Sequence, residues 1–362
     1  MSTVDLAQKA LGQLFIIGFR GLELSDDTAA FLSQAGIGGV ILFSNNYESP
    51  GQVAELINQV QENRTDLPFW IGVDHEGGRV QRFKKPFTRI PEAAAIGAKN
   101  SPKLAFDIAA VMAKELKAIG VNVNFCPVVD IATNPKNPVI GNRSYGSTED
   151  VVSKISSAIM RGHVTHGVQP CVKHFPGHGD TTVDSHLGLP KIDIPLEVLM
   201  EREFRPFTKA FRSHCAMVMT AHILNPKIDP EKPATLSSIT LREILRKQLR
   251  YSRVIISDDM EMKAIADNFS SEDAPKMAVE AGCDILIYRT EEAARHAYEV
   301  LLNRLETGKL SPEIVLEAAQ RVTQLKREVL PGLYKPVAIA ELAQKIGTPE
   351  HEAVIMKLTT DG

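Results

Sequence analysis

The sequence predicts a single-domain (β/α)8 barrel of the α/β class. Eight short apolar runs alternate with helical patterns along most of the 362 residues. The apolar runs are continuous, as expected for parallel strands that are buried on both faces. Eight such strand–helix units in one chain of this length are typical of the (β/α)8 barrel.

A doubly wound open sheet is the alternative fold. It is disfavoured because no G-x-G-x-x-G segment follows the first strand, and the nearest glycines, at 36, 38 and 39, precede a strand instead. The chain shows no linker or low-complexity tract. We therefore expect the barrel to occupy residues 1–332 and a short helical extension, residues 333–362, to pack on it.

The individual elements follow from apolar periodicity and from flanking caps. The predicted strands are 14–19, 39–43, 69–74, 121–129, 170–175, 216–222, 254–258 and 284–288. The predicted helices are 5–13, 25–34, 51–63, 101–119, 149–166, 195–212, 239–249, 271–281, 291–307 and 312–328, with small tail helices at 337–345 and 349–358. Ser25 is a typical helix N-cap, and Gly36 is a typical residue beyond a helix end.

Composition excludes several classes of partner. A net charge of −3 argues against a nucleic-acid surface, which needs a basic stripe. The four cysteines, Cys126, Cys171, Cys215 and Cys283, form no C-x-x-C pair and are typical of buried thiols in a reducing compartment. The N-terminus lacks a signal-peptide pattern, and no apolar run is long enough to cross a bilayer. We expect a cytoplasmic protein without a membrane partner.

Polar side chains follow the predicted strands at their C-terminal ends, which is where barrel enzymes carry their active sites. Asp74 ends the third strand, Lys173 and His174 end the fifth, and Asp258 ends the seventh. The same pattern places Arg82, Asp130, Arg143, His222 and Asp259 at or after strand ends. For Asp130 and Asp259, capping of the next helix explains the position equally well.

The segment 169–190, QPCVKHFPGHGDTTVDSHLGLP, is the centre of the predicted site. It begins as a short apolar strand and continues as an irregular loop, because Pro176 and Gly177 disfavour a helix. Ionisable residues crowd this loop: His178, Asp180, Asp184 and His186. A loop of this composition after a buried strand is typical of a functional site, although His178 and Asp180 also suit structural roles in a turn.

These groups are suited to glycoside hydrolysis. This reaction needs a nucleophile on one side of the sugar ring and a proton-transfer group on the other. Asp258 is placed as the nucleophile, and Asp184 can orient His186 as a proton donor near neutral pH. Five further residues are suited to bind sugar hydroxyls: Asp74, Arg82, Arg143, Lys173 and His174.

Three other kinds of site fit less well. A metallohydrolase could draw ligands from His174, His178, Asp184 and His186, but the H-x-x-x-H spacing binds zinc on a helix face, and Pro176 and Gly177 disfavour that helix. A phosphate-binding barrel would need a phosphate cradle, and the sequence shows none. A protein that only binds sugar would not need a candidate nucleophile such as Asp258. We therefore expect neither a metal nor a cofactor.

The motif K-H-F-P-G-H-G-D-x-x-x-D-S-H, residues 173–186, resembles the signature of bacterial β-N-acetylhexosaminidases of glycoside hydrolase family 3, the NagZ group. Three further segments resemble that family in the same order: VDHEGGRVQR (73–82), FCPVVDIATNPKNPVIGNRSYG (125–146) and ISDDMEMKAI (256–265). The D-S-H motif differs from the two-domain β-glucosidases of the family, which take their acid/base from a later domain. His75 departs from the pattern, which often has Gln at this position.

The resemblance implies a retaining enzyme that removes terminal β-linked N-acetylglucosamine from muropeptide fragments during cell-wall recycling. Asp258 is then the nucleophile, His186 the acid/base and Asp184 its orienting partner. The five residues proposed above to bind hydroxyls would hold the N-acetylglucosamine in the −1 subsite. The expected partner is a small carbohydrate, bound by a monomer. A related β-glycosidase or glycoside phosphorylase with another sugar specificity is the alternative.

Overall fold

The computed structural model describes residues 1–64, 66–182, 184–185, 187–330, 332 and 334–360, and its centre is a closed barrel of eight parallel strands. We label the strands β1 to β8: Phe15–Ile17, Gly39–Leu42, Trp70–Val73, Val123–Asn124, Gln169–Phe175, Met217–Thr220, Val254–Asp259 and Ile285–Tyr288. The barrel closes where β1 pairs with β8, with Phe15 opposite Leu286. The predicted (β/α)8 fold is confirmed.

Strand β4 is much shorter than the predicted strand 121–129. It ends at Asn124, and its pairing with β5 resumes only as an isolated bridge between Val128 and Lys173. Pro127 lies between these two pairings and has no backbone N–H to donate to a neighbouring strand. The apolar run is therefore interrupted as a strand although its side chains remain buried.

Helices surround the barrel. The main ones are Thr3–Ala10, Asp26–Gln34, Pro50–Glu62, Pro102–Ala118, Glu149–Thr165, Leu196–Glu201, Phe204–Arg212, Ile239–Gln248, Ala274–Ala281, Glu291–Glu306, Pro312–Val329 and Pro349–Thr360. Ser25 caps its helix as predicted, because its side chain accepts from the Thr28 amide. The predicted helix 195–212 is two helices, and Ile239–Gln248 has π-helical geometry. None of the helices that the structure describes is both long enough and apolar enough to span a bilayer.

A small antiparallel hairpin follows β3 and was not predicted. It pairs His75–Gly77 with Val80–Gln81 above the C-terminal end of the barrel. The hairpin is too short to show an apolar period, and its polar sequence is typical of a loop. It carries Glu76 and Arg82 from the end of β3 to the barrel mouth.

The opposite end of the barrel is filled by side chains. Trp70 and Phe125 pack inside the barrel, and Val322 and Leu325 of helix Pro312–Val329 join the same buried cluster. Lys326 of that helix is 1% exposed, and burial lowers its pKa to about 7. Its amino group donates to Gln13 Oε1 at 2.9 Å and to the Gly38 carbonyl at 2.7 Å, so this buried polar group is satisfied.

Residues 334–360 lie against the outer helices of the barrel. Asn58 Oδ1 accepts from the Tyr334 hydroxyl at 2.6 Å and from the Val337 amide at 2.9 Å. Leu342 and Ile346 are each 4% exposed and belong to the main core between helices and strands. These contacts support our proposal that residues 333–362 are an extension of the barrel domain 1–332.

A buried carboxylate joins this extension to the barrel. Glu115, in helix Pro102–Ala118, is 2% exposed. Its Oε1 accepts from the Gly347 amide and from Nδ1 of His351, both at 2.8 Å, while Oε2 accepts from the Thr88 amide at 2.9 Å. One side chain therefore satisfies donors from the extension and from the loop after β3.

We predict that Glu115→Ala loosens the extension. The substitution leaves the buried Thr88 amide without its acceptor, which costs about 1–3 kcal/mol, and also removes the acceptor of the partly buried Gly347 amide. Limited trypsin digestion followed by mass measurement should show faster cleavage in residues 334–360 while the barrel stays intact. Glu341→Ala is the control, because Glu341 lies in the extension and pairs with exposed Lys345. Equal digestion of the two variants would contradict the proposal.

Candidate active site

A cavity of about 310 Å³ opens at the C-terminal end of the barrel. This volume is at the lower end of the range of about 300–1,000 Å³ for small-molecule sites. The cavity is lined by all five residues predicted to bind sugar, Asp74, Arg82, Arg143, Lys173 and His174, and by the predicted nucleophile Asp258. The structure thus brings together six residues that are spread over 185 positions of sequence, from 74 to 258.

An array of alternating charges forms one wall of the cavity. Lys173 Nζ lies 2.7 Å from Asp74 Oδ1 and 2.6 Å from Glu76 Oε1. Arg143 binds Glu76 with two parallel hydrogen bonds, from Nε at 2.9 Å and from Nη2 at 2.8 Å. Arg82 Nη2 completes the array at 3.4 Å from Asp74 Oδ2. Paired bonds of the Arg143 type fix orientation as well as charge.

The array keeps Glu76 and Lys173 ionised although both are buried. Burial alone would raise the pKa of Glu76, but Arg143 and Lys173 outweigh burial and hold this pKa well below its usual range. Burial would lower the pKa of Lys173, but Asp74 and Glu76 raise it above its usual value. Fixed charges in a site of this kind can bind hydroxyl groups without reorganising.

His174 is oriented by Asp130, which is 1% exposed and lies in the segment after β4. The Asp130 carboxylate accepts from Nδ1 of His174 at 2.7 Å and from the His174 backbone amide at 3.2 Å. It also accepts from the His178 amide at 2.6 Å. Asp130 therefore holds the end of β5 and the loop after it, which is a different role from the helix cap considered from the sequence.

The ring of His178 is neutral and supports the loop. Burial, followed by the charge on His174, lowers the pKa of His178 to about 4. Thr181 Oγ1 donates to the His178 carbonyl at 3.1 Å and lies 2.7 Å from ring Nδ1, so Nδ1 carries the proton. Nε2 is left as the acceptor for the Ser185 hydroxyl at 3.4 Å. His178 thus contacts the residue between Asp184 and His186.

The first half of the loop is packed tightly. Gly177 has φ of +120°, and a Cβ there would lie 2.6 Å from the Glu203 side chain. A Cβ on Gly179 would lie 1.7 Å from the carbonyl oxygen of Ile131. Asn137 Nδ2 donates to the Gly179 carbonyl at 2.9 Å. Both glycines therefore permit close packing.

Asp258 lies near the end of β7 and is partly exposed to the cavity. Its Oδ1 accepts from the Asp259 amide at 2.8 Å. Burial would raise the pKa of Asp258, but the charges of His174 and His222 outweigh burial and lower this pKa. The carboxylate is therefore ionised at neutral pH, as a nucleophile requires.

The predicted acid/base pair is described only in part. Asp184 is described, and its carbonyl accepts from the amides of Leu187 at 2.8 Å and Gly188 at 3.1 Å, which makes a turn. His186 lies outside the described residues. Asp180, the other acidic residue of the loop, pairs with Arg202 at 3.2 Å on the far side of the loop and has a structural role.

The sequence predicts no site role for Glu76 and leaves two roles open for Asp130. Glu76 is two positions after Asp74 in an extended segment, and this spacing places both side chains on the same face. Asp130 directly follows an apolar run, and this position in the sequence suits a helix cap as well as a site residue. Among the described residues, no group of three His, Cys, Asp or Glu side chains is arranged to hold a metal ion.

We predict that Glu76→Gln destabilises the protein and weakens substrate binding. The substitution leaves Arg143 and Lys173 as buried cations with one carboxylate fewer, and breaking such a pair costs about 3–5 kcal/mol. Urea unfolding measures this loss. The control is Glu243→Gln, which removes an exposed i,i+4 pair with Lys247 and should cost less than about 0.5 kcal/mol. Equal stability of the two variants would contradict the role of Glu76.

Known proteins are similar to this chain in sequence and in structure. Residues 6–325 match the model of the glycosyl hydrolase family 3 N terminal domain. Beta-hexosaminidase A of Pseudoalteromonas piscicida is 34% identical over 364 residues; the match covers 92% of this chain but only 60% of that relative's length.

Two solved structures are also similar. A glycoside hydrolase family 3 β-N-acetylglucosaminidase from Paenibacillus sp. str. FPU-7 has a TM-score of 0.92 and 37% identity, over 97% of this chain and 68% of that one. Native NagZ from Neisseria gonorrhoeae has a TM-score of 0.80 and 30% identity, over 96% of this chain and 97% of that one. The chain therefore belongs to glycosyl hydrolase family 3 and is similar to the bacterial NagZ-type β-hexosaminidases of that family.

Proposed function

We propose that this protein is a retaining β-N-acetylhexosaminidase that removes terminal β-linked N-acetylglucosamine. The observation that carries the proposal is the ionised carboxylate of Asp258, which shares a small cavity with the Asp74–Lys173–Glu76–Arg143 array. A nucleophile beside fixed hydrogen-bonding charges is the arrangement that glycoside hydrolysis requires. The hexosaminidase relatives support the choice of sugar.

In the first step, a carboxylate oxygen of Asp258 attacks the anomeric carbon. The bond between that carbon and the glycosidic oxygen breaks, and His186 transfers a proton to the departing oxygen. In the second step, the same histidine removes a proton from water, the water oxygen attacks the anomeric carbon, and the bond to Asp258 breaks. Two inversions retain the β configuration.

The charged array holds the sugar while these steps occur. Asp74 accepts from sugar hydroxyls, and Arg82, Arg143, Lys173 and His174 donate to them or to the acetamido group. Because the array is rigid and already paired, little reorganisation accompanies binding. His174 also contributes positive potential at Asp258, which favours the ionised nucleophile.

Asp184 orients His186 and favours its protonated form, so that the ring can act as an acid near neutral pH. The tight packing at Gly177 and Gly179 supports this role, because it fixes the start of the loop that carries both residues. His178 adds support through Ser185.

The natural substrate in this proposal is a muropeptide fragment that ends in N-acetylglucosamine, and the enzyme acts in the cytoplasm during cell-wall recycling. The four cysteines are free and buried, which suits a reducing compartment. All of the residues named above come from one chain, so a monomer suffices.

A glycoside phosphorylase is the second candidate. It would use the same first step and release the sugar to phosphate instead of water. Arg82 and Arg289 both line the cavity and carry positive charge that a phosphate could contact. However, both are paired, with Asp74 and Asp259 respectively, so hydrolysis is the favoured reaction.

We predict that 4-nitrophenyl N-acetyl-β-glucosaminide is hydrolysed to free N-acetylglucosamine in the β form. Product analysis by NMR, with and without phosphate, distinguishes hydrolysis from formation of a sugar 1-phosphate. Asp258→Asn should reduce kcat by at least about 10³-fold, because in the proposed mechanism the covalent bond to the sugar forms on this carboxylate.

The control for this experiment is Asp107→Asn, which changes a surface pair with Lys103 far from the cavity. Activity of Asp258→Asn equal to this control would overturn the assignment of the nucleophile. A sugar phosphate as the main product would favour the phosphorylase.

We predict that the defect of His186→Ala depends on the leaving group. For a phenyl glycoside, which needs protonation, kcat/KM should fall by about 10²–10⁴-fold. For a 2,4-dinitrophenyl glycoside, whose leaving group departs as an anion, the fall should be much smaller. Asp184→Asn should show the same pattern more weakly, and surface His296→Ala should show neither effect. Equal losses on the two substrates would argue against the acid role.

A further inference from the structure

Strand β7 contains a β-bulge at the position of Asp258. Ile256 pairs with Ile285, and Asp259 pairs with Ile287, so Ser257 and Asp258 together oppose the single residue between those two partners. A bulge re-aims side chains and is common beside active sites. Here it brings two consecutive residues, Asp258 and Asp259, to the same cavity, whereas a regular strand would point them to opposite faces.

The bulge interrupts the regular backbone hydrogen bonds between β7 and β8. A side-chain hydroxyl and the amide of a later residue bond to β8 in their place. The Ser257 hydroxyl, which is fully buried, accepts from the Ile287 amide at 3.0 Å. The Met260 amide donates to the Ile287 carbonyl at 2.9 Å. Both polar groups of Ile287 on β8 are therefore bonded to the residues that flank the nucleophile.

Asp259 also connects β7 to the residue that follows β8. Its Oδ2 lies 2.9 Å from Nε of Arg289, which directly follows β8. Its Oδ1 accepts from the Glu261 amide at 3.0 Å and from the Arg289 amide at 3.3 Å. Arg289 Nη2 also donates to the Glu261 carbonyl at 2.8 Å. These bonds between Asp259 and Arg289 connect the end of β7 to the end of β8.

The backbone of Asp259 contacts the reacting group. Its amide donates to Asp258 Oδ1 at 2.8 Å, and its carbonyl accepts from Nε2 of His222 at 2.9 Å. Any movement of Asp259 therefore changes the direction of the Asp258 carboxylate. The side chain of Asp259 fixes this backbone through Arg289, while His222, two residues after the end of β6, fixes it from the other side.

We propose that Asp259 and Arg289 form a clamp that positions the nucleophile Asp258. Asp259 and Arg289 are positioning residues, since they act through the Asp258 carboxylate. This inference rests on the proposed function. Burial raises the pKa of Asp259 to about 7, against the opposing charge of Arg289, so this carboxylate relies on its arginine partner for its charge.

Arg289 lines the cavity and its side chain is 44% exposed, so direct contact with the substrate is the competing explanation. The two explanations differ in kinetics. Loss of a positioning residue lowers kcat because the carboxylate is misaligned in the transition state, whereas loss of a substrate contact raises KM.

The test uses Asp259→Asn, Arg289→Met and the double variant, with 4-nitrophenyl N-acetyl-β-glucosaminide as substrate. We expect each single variant to lose on the order of 10–100-fold in kcat with KM within about threefold, because a displacement near 1 Å has this effect on rate. The double variant should be no slower than the slower single variant, since one clamp is broken in all three. Arg289→Lys should recover part of kcat, because it keeps the charge but not the paired geometry.

Asp273→Asn and Arg304→Met are the matched controls. They break a carboxylate–arginine pair of 3.0 Å that lies outside the cavity, and they should leave kcat unchanged. Thermal melting of all variants checks that they are folded.

Unchanged kcat in Asp259→Asn, additive losses in the double variant, or a rise in KM that accounts for the loss in kcat/KM would each overturn the clamp. Wild-type protein without activity on this substrate would instead overturn the proposed function.

Discussion

The cavity depends on the ion pairs that the buried ammonium group of Lys173 makes. Burying one charge costs several kcal/mol, and this cost is offset only because Asp74 and Glu76 lie at 2.7 and 2.6 Å. Glu76 is shared with Arg143, so two carboxylates and two cations balance one another. These residues come from the ends of β3, β4 and β5 or from the loops after them. The balance of charge therefore fixes how three neighbouring strands present their side chains.

Most of the barrel could be predicted from the sequence, because parallel strands buried on both faces are continuous apolar runs. The exceptions have local causes. Pro127 ends β4 early although the apolar run continues, and the helix 195–212 is interrupted at Arg202, whose side chain binds both Asp180 and Glu203. The β-bulge at Asp258 could not be predicted from the sequence, because the pairing register is a property of two strands and not of one segment.

The site could be predicted where its polar residues lie at the C-terminal ends of strands. Asp74, Lys173, His174 and Asp258 line one cavity as expected. Asp130 was recognised as a strand-end carboxylate, but its partners come from more than forty positions later in the chain. Long-range pairing of this kind leaves no periodic signal. Glycines 177 and 179 permit close packing, and this role depends on neighbours that are distant in the sequence.

The filled base of the barrel has a consequence for the reaction cycle. Trp70, Phe125, Val322 and Leu325 occupy that end, with Lys326 beside them, and the substrate cavity opens at the other end. In the proposed mechanism, aglycone, water and released sugar all pass through this opening. A departing aglycone delays the arrival of water at the glycosylated aspartate, and a second sugar that enters by the same route competes with water as the acceptor. The architecture therefore couples the size of the departing group to the balance between hydrolysis and transglycosylation.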